Sequence, residues 1–240
     1  MRARVVVIGL AILVSATACG SGDAATDPSA TQEEADRVRY VALGDSYTIG
    51  TSVAEAERWP NQLVERIGDL ELVANLGVNG STSDDLIAGQ LTRLDELDPE
   101  LVSVLIGVND VVRGVPDSRY AANVALILDD LLGRLPEDGI VCVATPDYTR
   151  TPRGGDYGDP TEQSDGIVRV NAILREACEQ RGVAFVPDIF EISQEVIADP
   201  SLVADDGLHP SGSQYARWVD AIAPVVRGIL ERQPATAPAS

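Results

Sequence analysis

Short, nearly continuous apolar runs alternate along the chain with longer segments of helical period. The runs fall at Val38 to Leu43, Leu72 to Leu76, Leu101 to Ile106, Ile140 to Ala144 and Val183 to Pro187. Each is too apolar for a sheet with one wet face, so the pattern predicts five strands covered on both sides. Between them Val124, Ile127, Leu128, Leu131, Leu132 and Leu135 recur at i, i+3, i+4 and i+7, the stripe of a helix that buries one face. Val168, Val170, Ile173 and Leu174 repeat the stripe less cleanly. A closing helix is predicted from about Ser213, with Trp218, Ile222, Val225, Val226, Ile229 and Leu230 inward and a kink at Pro224. Strands joined by helical crossovers form a doubly wound parallel five-stranded α/β sheet. In such sheets ligands gather beyond the carboxyl ends of the strands.

The same patterning sets the ends apart. Arg2 and Arg4 precede an apolar run from Val5 to Val14 and then Ser15, Ala16, Thr17 and Ala18. This is the layout of a signal peptide over residues 1–18, and the run is short of the about 20 apolar residues that cross a bilayer. Cys19 follows at once, and Gly20-Ser21-Gly22 opens a polar, acidic stretch read as a flexible tether over 19–37. The placement of Cys19 resembles a bacterial lipobox, with Ala16 where Leu is usual. Two outcomes stay open: a lipid anchor on Cys19, holding the protein at the outer face of the membrane, or simple secretion. Both export the chain. The folded body is expected over 38–232, and residues 233–240 read as a disordered Pro/Ala-rich tail. Within the body Cys142 and Cys178 either pair or pack as buried free thiols; packing is the favoured reading, because free Cys behaves as a small hydrophobe.

Charge narrows the chemistry. The 240 residues carry 18 basic side chains, all Arg, against 38 acidic ones, a net charge of -20. A nucleic-acid binder needs a basic face, so nucleic acid is excluded as a partner. With no Lys, neither a Lys-terminated phosphate loop nor a Schiff-base enzyme can be built. A single His, His209, rules out multi-His zinc sites, so any imidazole chemistry passes through that one residue.

The polar residues with chemical promise sit where strands end. The first strand runs into Gly44-Asp45-Ser46-Tyr47, where a tight turn lifts a hydroxyl above the sheet, although a Ser in such a turn also serves as a helix cap. The second runs into Gly77-Val78-Asn79-Gly80-Ser81 and the third into Gly107-Val108-Asn109-Asp110, both ordinary turn compositions that also offer donors to a developing oxyanion. Near the carboxyl end, Asp206-Gly207-Leu208-His209-Pro210 places a carboxylate three residues before the imidazole, within reach of its Nδ1–H. The connection from Thr145 to Asp165 has no period and holds Tyr148, Tyr157, Arg150 and Arg153, so it either lines the site or is a plain surface loop.

Taken in order, Gly-Asp-Ser at 44–46, Gly80, Gly-x-Asn-Asp at 107–110 and Asp-x-x-His-Pro at 206–210 make the sequence resemble the GDSL-type, or SGNH, serine hydrolases from about Arg39 to Leu230. The resemblance implies a three-layer, flavodoxin-like α/β/α fold and hydrolysis of carboxylic esters that needs neither a metal nor an organic cofactor. It makes Ser46 the nucleophile, His209 the general base and then acid, and Asp206 the residue that orients His209. It builds the oxyanion hole from the backbone N–H of Ser46, the backbone N–H of Gly80, with Gly77 as a rival, and the Asn109 side-chain amide. Substrates would be small-molecule, lipid or carbohydrate esters, taken by a monomer. A carbohydrate O-acetyl esterase is the alternative, and a non-catalytic binding lipoprotein a further one that the intact quartet argues against.

Overall fold

The computed structural model describes residues 37–232; the expected signal peptide, Cys19, the tail and all of the tether except Arg37 lie outside them. Five strands form one sheet in the order β2-β1-β3-β4-β5 with every pairing parallel: β1 Val38–Gly44, β2 Leu70–Asn75, β3 Leu101–Leu105, β4 Ile140–Val143 and β5 Ala184–Val186. The labelled helices are α1 Ser46–Ile49, α2 Trp59–Ile67, α3 Val108–Val112, α4 Asp117–Leu132, α5 Pro160–Glu179, α6 Ile189–Ser193 and α7 Gly212–Leu230. An irregular helical stretch runs from Ser83 to Leu97 between β2 and β3.

Strict alternation along the central strands explains why their sequences are apolar throughout. Tyr40, Ala42, Leu101, Leu105, Val141 and Val143 point into a core shared with Trp59, Leu63, Trp218, Ile222 and Val226 of α2 and α7. Val41, Leu43, Val102, Val104, Ile140 and Cys142 point the other way, toward Leu86, Leu94, Val124, Leu128, Val170 and Leu174 of the irregular stretch, α4 and α5. Two buried faces leave no polar positions on these strands. Apart from the half-buried Arg39 at the start of β1, Ser103 is the exception, and its hydroxyl pairs with the Tyr40 hydroxyl at 2.7 Å.

Two expectations change in detail. Val168 lies on the wet face of α5, 49% exposed, and Ile167 takes the buried position beside it. The helix also begins earlier than expected, at Pro160, because Asp159 caps it by accepting from the Thr161 and Glu162 amides at 2.9 and 3.0 Å. Pro224 sits within an unbroken α7 on its exposed side. Cys142 and Cys178 are buried free thiols. Among the described residues no helix is long and apolar enough to cross a membrane.

The chain leaves β1 to pair β2 on one side and then crosses to β3 on the other. The carboxyl ends of β1 and β3 therefore flank a topological switch point, where a crevice opens above the sheet.

Candidate active site

Where β1 leaves the sheet, the buried Gln90 side chain clasps the Gly44 peptide, accepting from its N–H at 2.9 Å and donating to its carbonyl at 2.7 Å. The next residue, Asp45, is fully buried and caps α1 by accepting from the Tyr47 amide at 3.0 Å. Ser46 thus opens a one-turn helix at the carboxyl edge of the sheet. Beyond β2 the backbone keeps running alongside β1, with Leu76 N–H on the Ala42 carbonyl at 2.8 Å and Val78 N–H on the Gly44 carbonyl at 3.2 Å. This carries Gly80 to the wall of the cavity that holds Ser46. Gly77 serves a different end: a Cβ there would come within 2.5 Å of the Ile49 nitrogen and 2.8 Å of the Asp45 carbonyl, and its own N–H is bonded to Asn75 Oδ1. Gly80 turns with φ 79°. Its N–H and that of Ser46 donate to no partner among the described residues.

Asn109 opens the crevice from the β3 side, on α3. Its Nδ2 donates to the Ser81 carbonyl at 3.0 Å and to Asp45 Oδ2 at 3.3 Å. Asp110 beside it is buried and accepts from the Ser83 amide and hydroxyl at 3.0 and 2.6 Å, fixing α3 against the start of the irregular stretch.

The last member comes from the loop before α7. An antiparallel bridge between Val203 and Pro210 closes a tight turn. At its tip Asp206 Oδ1 accepts from the Leu208 and His209 amides at 2.9 and 3.0 Å. Asp206 Oδ2 meets His209 Nδ1 at 2.6 Å. Burial pushes the Asp206 carboxyl up, but the bonds from Ser52, the His209 ring and these two amides outweigh it and hold the group well below the usual carboxylate range. The His209 ring packs on Tyr47 at 5.2 Å, and Tyr47 in turn stacks on Trp218 at 6.2 Å.

Ser46, Gly80, Asn109 and His209 line one cavity of about 250 Å³. Its other walls include Thr51 and Asn79, the apolar Val108, Val112 and Leu208 and, from the connection after β4, Tyr148 and Tyr157, whose rings meet edge to face at 5.8 Å. That connection is ordered by the buried Asp147, which accepts from Thr149, Ser164 and Gln194. It is latched to the Asp206 loop by Arg153 N–H on the Gly207 carbonyl at 3.0 Å. A larger, more open groove of about 630 Å³, holding Arg93 and Arg113, borders the cavity at Asn79 and Gly80 but touches neither Ser46 nor His209. No hydrogen bond joins Ser46 to His209 among the described residues. Nor do three His, Cys, Asp or Glu side chains gather there as a metal site needs. Tyr47, Gln90 and Ser52 were not singled out from the sequence. Only Tyr47 carried a signal, its position next to Ser46.

Burial, with the nearby Asp110 carboxylate adding to it, pushes the Asp45 carboxyl up to about 7 against the pull of the Tyr47 amide and Asn109. Between about pH 4 and 7 the folded protein therefore holds a proton that the unfolded chain releases, so stability falls as pH rises through this window and levels off above it. Urea unfolding of wild type and Asp45→Asn at pH 5 and pH 8 should show the wild type losing about 2 to 3 kcal/mol more than the variant between the two, roughly two pH units below the folded-state value at about 1.4 kcal/mol each. A constant difference would remove Asp45 as the source.

The GDSL-like lipase/acylhydrolase family model matches residues 42–217. An arylesterase of Vibrio mimicus is 26% identical over 175 residues, 72% of this chain and 80% of that protein. Thioesterase 1/protease 1/lysophospholipase L1 of Escherichia coli is 25% identical over 169 residues, 70% and 74% of the two chains. Among solved structures, an acetyl xylan esterase from Geobacillus stearothermophilus superposes with a TM-score of 0.63 at 20% identity, over 79% of this chain and 94% of that one. TesA superposes with a TM-score of 0.63 at 21% identity, over 80% and 99%. At these identities the structural matches speak for the fold.

Proposed function

Since the chain belongs to the GDSL-like lipase/acylhydrolase family and is a carboxylic ester hydrolase, we propose that it is an exported serine esterase working through Ser46, His209 and Asp206. The observation that carries this reading is the 2.6 Å bond between Asp206 Oδ2 and His209 Nδ1 at the rim of the cavity that also holds Ser46, Gly80 and Asn109. With Nδ1–H bound to the carboxylate, Nε2 is the free acceptor. Ser46 Oγ attacks the ester carbonyl as Nε2 takes its proton, a step that closes the present gap between the two side chains. The Ser46 and Gly80 N–H groups hold the oxyanion, joined by one Asn109 Nδ2–H that turns to it from Asp45 Oδ2, the longer of its two contacts at 3.3 Å. His209 returns the proton to the departing alcohol. Water, deprotonated by the same imidazole, then cleaves the acyl-enzyme and regenerates Ser46.

Apart from the reacting groups, the cavity is walled mostly by apolar and aromatic side chains, and its volume is below the ~300–1,000 Å³ of a drug-sized site. A short neutral acyl group fits this space, and a long chain would extend over the surface. In a panel of p-nitrophenyl esters kcat/KM should peak between acetate and butyrate and fall by about tenfold or more by decanoate, each lost contact weighing on the order of 1 kcal/mol. A maximum at palmitate would overturn the short-chain reading. The alternative, an O-acetyl esterase acting on carbohydrate, draws on the polar groove beside Gly80. Acetylated xylooligosaccharides run in the same panel decide it, since a large excess of kcat/KM over p-nitrophenyl acetate would favour the sugar.

The hydrolase domain in this reading spans 38–232, after a signal peptide and a tether, and acts as a monomer at the cell envelope or outside it. Lipid attachment at Cys19 is proposed from the small residues before it. Incorporation of labelled palmitate that disappears in Cys19→Ala tests the anchor.

A further inference from the structure

The segment after α1 holds an arrangement that the reaction scheme above does not use. Ser52 is exposed and adopts φ 69°, a left-handed conformation that L side chains take up only at a cost. The sequence could have placed a second glycine there, two residues after Gly50, itself left-handed at φ 70°. Instead Ser52 Oγ donates at 2.7 Å to Asp206 Oδ2, the same oxygen that meets His209 Nδ1. The neighbouring Thr51 hydroxyl donates to Asn79 Oδ1 at 2.6 Å, so the segment reaches both the loop that carries Gly80 and the loop that carries His209.

We propose that Ser52 is a positioning residue for ester hydrolysis, its hydroxyl locking the Asp206 carboxylate in the plane that points Oδ2 at the His209 ring. Two backbone amides already fix Oδ1, and rotation about the Cβ–Cγ bond of Asp206 is stopped only when Oδ2 is held as well. Ser52 supplies that hold from a segment 154 residues away in the chain, which also ties the nucleophile's own turn to the His209 loop. The left-handed backbone follows from the same role, because it aims the side chain of an otherwise exposed turn residue back at the loop.

The hydroxyl has an electrostatic consequence. Its positive end lies next to the oxygen that faces the imidazole, which opposes the protonated ring. The other groups bearing on the pair are Tyr47 and Tyr215, both pushed well above the usual phenol range by burial and hence neutral, and Arg153 on the connection after β4. None of them is altered by a change at Ser52.

The proposal rests on the serine-esterase reading, and two substitutions at Ser52 separate its two possible roles. Ser52→Gly removes the hydroxyl and relieves the backbone; Ser52→Ala removes the hydroxyl and leaves the backbone strained. Both should lower kcat on p-nitrophenyl acetate about tenfold with KM nearly unchanged, the scale of one hydrogen bond to a charged group. Both should move the acid limb of the pH–rate profile to higher pH, while Ser52→Gly melts at or above the wild-type temperature. Wild-type kcat and an unmoved acid limb in Ser52→Gly would overturn the proposal, leaving Ser52 as a turn residue only. Ser46→Ala and His209→Ala assayed alongside distinguish the two failures: if either stays active, the underlying reading falls, and if both are dead while Ser52→Gly is normal, only the role of Ser52 does.

Discussion

Ser46→Ala should lower kcat for p-nitrophenyl acetate by about 10⁴ to 10⁶ and leave the melting temperature close to that of the wild type. The kinetic loss is expected to be large because Ser46 is, among the described residues, the one serine lining the cavity: the Thr51 and Tyr148 hydroxyls are bonded to Asn79 and Gln163, and Ser52 spends its hydroxyl on Asp206. The fold should stand because Asp45, not Ser46, caps α1. Ala is moreover a good residue for a helix's first position. The residual rate comes from whatever stabilisation the oxyanion donors give to attack by water. A fluorophosphonate probe should label wild type stoichiometrically and the variant not at all. Labelling that persists at another serine would dismiss Ser46 as the nucleophile, and a fall in melting temperature that matches the fall in activity would reduce it to a structural residue.

How far such a site can be read from sequence depends on how local its contacts are. Asp206 and His209 are three residues apart, so one short motif carries their bond, and Ser46 and Asn109 each follow directly from an apolar strand that announces itself. The strands were legible because β1, β3 and β4 bury both faces, and α7 because its stripe from Trp218 to Leu230 spans more than three turns. The stretch from Ser83 to Leu97 was not, since its π-helical turn at Leu86–Gln90 and 3-10 turn at Leu91–Arg93 shift the phase of the buried leucines, Leu86, Leu91 and Leu94, out of any single period. The helix α2 escaped notice for another reason: only Trp59, Pro60 and Leu63 of its nine residues are buried. Groups that act across the fold left no trace in the sequence. Gln90 reaches Gly44 from 46 residues away and Ser52 reaches Asp206 from 154, distances set by how α1 and the irregular stretch pack and by no local pattern.

Asn109 tests whether the site does chemistry or only resembles one that does. Its amide is assigned to the oxyanion, whose charge is greater in the transition state than in the bound ester, so losing it should lower kcat more than it raises KM. Asn109→Ala should lose on the order of 10² to 10³ in kcat, about 2.7 to 4 kcal/mol. The structure adds a second effect with a different signature. The same Nδ2 donates to Asp45 Oδ2 and helps the buried carboxyl bear its charge, so the variant should also lose stability. That loss should be small at pH 5, where Asp45 holds its proton in the folded state, and should grow to on the order of 1–3 kcal/mol at pH 8, where a buried carboxylate is left short of a donor. The two effects separate by pH: the stability loss fades on acidification and the relative loss in kcat persists wherever the wild type is active. Asn109→Asp should be at least as slow, because it turns an acceptor toward the oxyanion, toward Asp45 and toward the Ser81 carbonyl. Near-normal kcat in Asn109→Ala at a temperature where it is fully folded would confine Asn109 to supporting Asp45 and leave the oxyanion to the two backbone amides.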